Sequence, residues 1–230
     1  MDLIACAARA RAPEVPASAP AAFAVTWAPA MELPSLAGLP ARFARAFPED
    51  VQLVRHGDHV VASSCAILLA ARADGASPAD DRDLAIERDE GARCIVLDQL
   101  ARARPARVSH LAGFALPAET LADLPPTFAT PFGKRDDALA RAAQEQERTL
   151  ADYRPGTTAH AEDGMLVLRG DTWQARLEVL ARGDFDGGGL EELLVAAHDT
   201  ATQGTFDSTR LLLVTRERDG GPLVTLKRLQ

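Results

Sequence analysis

Gly183-Asp184-Phe185-Asp186-Gly187-Gly188-Gly189-Leu190-Glu191-Glu192-Leu193-Leu194-Val195 separates one strand-length apolar run, TWQARLEVLA at 172–181, from another, LEELLVAAHD at 190–199. Two carboxylates two residues apart, then glycines, then another acid at the start of a strand, is the pattern by which a short loop folds around a hard cation. Asp184, Asp186 and Glu192 take the first, third and ninth places of such a loop. Gly189 takes the sixth, where the turn is tightest, and Leu190 offers a backbone carbonyl at the seventh. Position five is Gly188, so a water would replace a missing side-chain oxygen. The implied ligand is Ca2+, bound weakly, with a dissociation constant of about 0.1–1 mM. The competing reading is that Asp184 and Asp186 only tie the loop by accepting backbone N–H bonds.

Outward from the loop, MLVLR at 165–169, TRLLLVTRE at 209–217 and PLVTLKRL at 222–229 also alternate or run apolar. Gly170-Asp171, TQGTFDS at 202–208 and Asp219-Gly220-Gly221 separate them, the last being a strong hairpin signal. Short strands in succession with tight turns predict an antiparallel meander.

Upstream of Gly164 the signals are mainly helical. SLAGLPARFARAF at 35–47 has helical spacing and stops at Pro48. VQLVR and HVVAS flank a turn at 56–59 and read as a short hairpin. Ser63 or Ser64 caps a helix starting at Cys65. A longer helix runs from Leu84 to Arg102, with Leu84, Glu87, Gly91, Cys94, Leu97 and Ala101 on one face. Residues 104–135 hold Pro and Gly with little periodicity and read as an irregular connection. Asp136 to Tyr153 reads as a third helix that packs through Leu139, Ala143 and Leu150. The fold class is therefore α+β. It divides into 1–34, an Ala/Pro-rich tether; 35–160, a mainly helical region; and 161–230, an antiparallel β region carrying the Asp/Gly loop.

Cys65 and Cys94 fall on two neighbouring helices. A disulfide between them would contribute roughly 3–4 kcal/mol in the chain-entropy account; two buried free thiols are the alternative. The net charge of −8 disfavours a nucleic-acid partner. No stretch is long and apolar enough to span a bilayer as a helix. No Gly elbow surrounds a nucleophile, and no Gly-rich phosphate loop precedes a helix. His56, Asp58 and His59 could share a metal, but no further ligand cluster accompanies them, and they read as a polar turn.

Four resemblances add to this reading. The run from Gly183 to Val195 resembles the FG-GAP and VCBS repeats, whose G-D-F-D-G-D-G-x-x-D-L-x-V links two strands of a β-propeller blade and binds calcium. With one copy, the resemblance implies one blade-like sheet rather than a propeller. Leu3-Ile4-Ala5-Cys6 resembles a bacterial lipobox, although the basic and apolar residues that normally precede one are not found at positions 1 and 2. It implies a lipid on Cys6 and a place in the periplasm or on the inner leaflet of the outer membrane; the cytoplasm is the alternative. Leu53-Val54-Arg55-His56-Gly57 resembles the phosphohistidine motif of histidine phosphatases, in which the His is the nucleophile and the Arg binds phosphate. The family's second His has no clear counterpart, since His110 is followed by Leu111. Some bacterial immunity lipoproteins join a lipobox to a VCBS-like β domain, and the chain is similar to them in that arrangement. The leading expectation is a non-catalytic envelope binding module, such as an inhibitor or immunity protein, with a protein partner and no membrane contact except through Cys6. A histidine-phosphatase-like hydrolase is the alternative.

Overall fold

The computed structural model describes residues 22–230. Cys6 and the lipobox-like tetrad lie outside the described residues. In chain order the elements are β1 (Thr26–Trp27), α1 (Leu39–Ala44), β2 (Ala46–Arg55), β3 (Asp58–Ser64), α2 (Cys65–Ala73), β4 (Ser77–Pro78), α3 (Asp81–Arg102), α4 (Lys134–Glu145), α5 (Leu150–Tyr153), β5 (Thr158–Glu162), β6 (Met165–Arg169), β7 (Trp173–Gly183), β8 (Glu192–Ala201), β9 (Asp207–Arg216) and β10 (Leu223–Arg228). The fold is α+β, and its C-terminal part is an antiparallel meander.

The large sheet runs β10-β9-β8-β7-β6-β5, with β1 paired to the far end of β7. Side chains alternate across it, as the pleat requires. Leu194, Ala196, Leu211 and Leu213 enter one core with Leu53, Leu68, Cys94 and Leu97. Leu193, Val195, Ala197, Leu212 and Val214 enter a second core with Leu111, Phe128 and Leu150. Burial on both faces explains why β8 and β9 read as nearly unbroken apolar runs. The molecule therefore has three layers, with the sheet in the middle.

The first outer layer holds α1, α2, α3 and a small sheet ordered β3-β2-β4. His56 and Gly57, with φ of 51° and 94°, form the two-residue turn between β2 and β3. Cys65 and Cys94 form a disulfide between α2 and α3, with Cα atoms 5.1 Å apart. Gly91 leaves room on α3 for a side chain from α2. A Cβ there would lie 3.2 Å from Arg72 Nη1, which reaches over to bond Glu87 at 2.8 Å. Asp80 caps α3 by accepting from the Asp83 amide at 2.9 Å, and Asp83 in turn accepts from Gln52 N at 2.8 Å. The helix thus begins three residues before Leu84, where apolar periodicity first marks it. Leu84 itself is 42% exposed and Ala101 is exposed, whereas Glu87, Gly91, Cys94 and Leu97 are buried as expected.

Three local expectations are corrected. The helix over 35–47 shrinks to α1 after a short 3-10 turn, because β2 starts at Ala46 and includes Pro48. Proline is tolerated there because the pairing of β2 with β3 breaks between Ala46 and Val51, so no ladder bond needs its missing N–H. The third helix splits into α4 and α5 at Glu147, whose φ is 57°. Thr149 and Asp152 form a capping box that restarts it, and the Thr149 amide holds the Asp152 carboxyl below its ordinary range. Leu139 is 50% exposed, so α4 packs through Ala140 and Ala143 instead.

Residues 22–34, assigned to the tether, carry β1, a 3-10 turn and the buried Leu33; Phe23 bridges Ala106. Strand β5 forms before the meander was expected to begin.

The second outer layer is the irregular stretch 104–133 with α4 and α5. Leu111, Leu116, Leu124 and Phe128 seat it on the second core, and polar contacts are buried with them. Arg210 forks onto Asp199, with Nη2 to Oδ1 at 2.8 Å, and both are buried. Arg210 Nη1 also donates to Thr127 O at 2.6 Å, and Thr130 Oγ1 to Asp199 at 2.8 Å. Gln144 of α4 exchanges two bonds with the Thr225 backbone of β10, at 2.9 and 3.0 Å.

Candidate functional site

The β7–β8 connection begins at Gly183, which pairs with Glu192 in register, so Asp184 to Glu191 project beyond the sheet. Asp184, Asp186 and Glu192 converge there, and one oxygen from each lies within 4.8 Å of the others. Oxygen ligands at roughly 2.3–2.6 Å from calcium cannot be more than about 5 Å apart, so three such atoms fit around one ion. The donor set is all carboxylate, which suits a hard cation.

The same carboxylates also organise the loop. Asp184 accepts from Gly187 N at 2.7 Å and from Gly189 N at 3.0 Å. Asp186 accepts from Gly188 N at 2.6 Å. Glu192 Oε2 accepts from Phe185 N at 2.7 Å and Asp186 N at 3.2 Å. Backbone amides therefore supply the positive ends that hold three negative groups together. Burial pushes the Glu192 carboxyl up from 4.5 to about 7. The Phe185 amide works against that rise, and the charge of Asp186 adds to it.

The other two expected positions have different surroundings. Gly188 sits at the exposed tip, where a Cβ would lie 2.8 Å from Asp186 Oδ1. Leu190 forms a bridge with Val108. That bridge belongs to a clamp that local sequence does not announce. Arg104 pairs with Asp184, and the Arg107 and Val108 amides both donate to Gly189 O, at 2.8 and 3.0 Å. Ser109 Oγ donates to Glu191 Oε2 at 2.5 Å. Gly189 has a φ of 84°, which favours glycine, and the Arg107 guanidinium packs into the space its missing Cβ leaves. The clamp comes from the Pro-containing stretch 104–109, some 80 residues earlier and without periodicity, so only proximity in space reveals it.

The remaining expected sites are dispersed. Arg55 pairs with the exposed Asp74 at 2.9 Å, and His56 lies in the exposed hairpin turn of an antiparallel pair. His110 Nδ1 lies 2.7 Å from Asp219, on another part of the surface. The acidic triad is the only group of three or more potential metal-ligating side chains among the described residues. No family model, characterised protein or solved structure matches the chain.

Proposed function

We propose that this chain is a non-catalytic binding module of the bacterial envelope, with an Asp/Gly loop that takes Ca2+ weakly and a protein partner of the inhibitor or immunity type. The observation that carries the reading is the Cys65–Cys94 disulfide in the core beneath the large sheet. Such bonds persist in oxidising compartments and are reduced in most cytosols. The lipobox-like tetrad at Cys6 and the Ala/Pro-rich residues after it support the same address. The oxygen-only triad supports calcium over softer metals, since no thiolate or imidazole joins it.

Location is tested by mass mapping of protein recovered from the envelope without reductant. A single Cys65–Cys94 bridge is expected, and two freely alkylatable thiols would overturn the address. The partner is tested by affinity capture from envelope extract with the full chain. Recovery of one stoichiometric protein that calcium chelation releases fits the reading; recovery of none counts against it.

A further inference from the structure

At the opposite end of β7 from the Asp/Gly loop lies a cavity of about 430 Å³. This is within the ~300–1,000 Å³ range of small-molecule sites. Phe132, Tyr153 and Trp173 wall it, with Arg154, Asp136 and Asp171 between them. The chain has one tyrosine, two tryptophans and eight phenylalanines. Its tyrosine, one tryptophan and two phenylalanines meet here, since Phe206 packs edge-on against Phe132 at 5.3 Å. In so aromatic-poor a chain this concentration is uneven, and Phe132 remains 44% exposed.

The walls are held in place. Thr202 bonds the carbonyls of Thr172 and Asp171, at 3.0 and 3.2 Å, which fixes the β6–β7 turn. Thr157 bonds Arg154 O through both its amide and its hydroxyl. Trp173 lies so close to Gly170 that a Cβ at 170 would strike the indole nitrogen, so glycine there is what admits the ring. The Arg154 guanidinium stacks 5.0 Å from the Tyr153 ring centroid, and its Nε is buried with no partner among the described residues.

From this geometry we infer that the cavity is a binding site for a pyranose sugar. One face of a pyranose is a row of C–H groups that packs on an aromatic ring, and its edge is a ring of hydroxyls. Asp136 and Asp171 are placed to accept from hydroxyls, and the planar guanidinium of Arg154 is placed to donate. The same arrangement takes a neutral sugar or a uronic acid, with Arg154 meeting a hydroxyl in one case and a carboxylate in the other.

The test is saturation-transfer NMR on the full chain with glucose, N-acetylglucosamine and glucuronate, together with Trp fluorescence titration. Saturable binding by at least one of them is expected. Tyr153→Ala should weaken it at least about tenfold, roughly 1.4 kcal/mol. Arg154→Gln should weaken glucuronate most if the acid is preferred, and all sugars equally if it is not. Both side chains are partly exposed, and melting curves confirm that the variants fold. Absence of saturable binding by every sugar overturns the inference, as does binding that both variants leave unchanged. None of these readouts depends on calcium or on cellular location, so their failure is separable from failure of the proposed function.

Discussion

The two faces of the large sheet bury a carboxylate each, by different means. On the face that carries Leu193, Val195 and Ala197, Asp199 meets a guanidinium, and the pair ties an irregular segment to the sheet. Glu192 follows the alternation of Leu194 and Ala196 on the other face and has no cationic partner, so burial, with the charge of Asp186 beside it, raises its carboxyl to about 7 although the Phe185 and Asp186 amides donate to it. The layers differ in the same way. One is regular and covalently stapled; the other is nearly without regular structure over 104–133 and is held by buried apolar side chains together with buried polar bonds. A segment without regular structure needs directional contacts beside its apolar burial to fix its path, whereas paired helices are oriented by their packing and one staple.

The sharpest way to break this contrast is to remove one member of the Arg210–Asp199 pair. Arg210→Ala should cost about 3–5 kcal/mol in urea unfolding, because Asp199 is left buried and unpaired. An Arg210→Met, Asp199→Leu double variant should recover much of that loss. A loss below about 1 kcal/mol for the single variant would mean that the irregular layer is held by packing alone.

Next in size is the staple. Cys65→Ala with Cys94→Ala should lower stability by roughly 3 kcal/mol, by the loop-closure entropy of the unfolded chain. The effect should be the same with and without Arg210→Ala, since the two sites lie on opposite faces and share no partner.

The uncompensated acid gives a pH signature. The Glu192 carboxyl titrates near 4.5 unfolded and near 7 folded, so folding takes up a proton between those values. The stability it contributes is fully present below pH 4.5 and is lost as the pH rises through 7. In calcium-free buffer the loss across that window should be roughly 2–3 kcal/mol, and Glu192→Gln should flatten it. An unchanged slope in that variant would place the titration elsewhere.

Smallest is the effect of the ion. With a dissociation constant of about 0.1–1 mM, roughly 5 mM calcium should stabilise the fold by about 1–2 kcal/mol at neutral pH. Asp186→Asn should abolish that gain and leave Cys65–Cys94 intact. Calorimetry without heat and melting without a shift would leave Asp184, Asp186 and Glu192 as ties within the loop.

Much of the fold was legible because it rests on local periodicity. The meander and the β2–β3 hairpin carry a repeating apolar pattern with tight-turn residues at their ends, and the long helix is marked by helix-forming residues and an Asp N-cap more than by an apolar face. The errors fall where tertiary contacts override such patterns. Pro48 reads as a helix stop, yet it lies in a strand at a break in pairing. Leu139 reads as core, yet α4 packs through Ala140 and Ala143 and docks Gln144 on Thr225, which leaves Leu139 exposed.

The residue types and spacing of Asp184, Asp186 and Glu192 were enough, on their own, to mark a loop that gathers carboxylates, because turn geometry acts within ten residues. The strand order of the meander followed likewise from short connections. What closes over that loop, which residues meet at the far end of β7, and that Arg210 finds Asp199 beneath Thr127 were decided only by the packed chain. Those contacts join segments far apart in sequence, and their energy comes from burying apolar surface while pairing the charges that are buried with it, which no local pattern records.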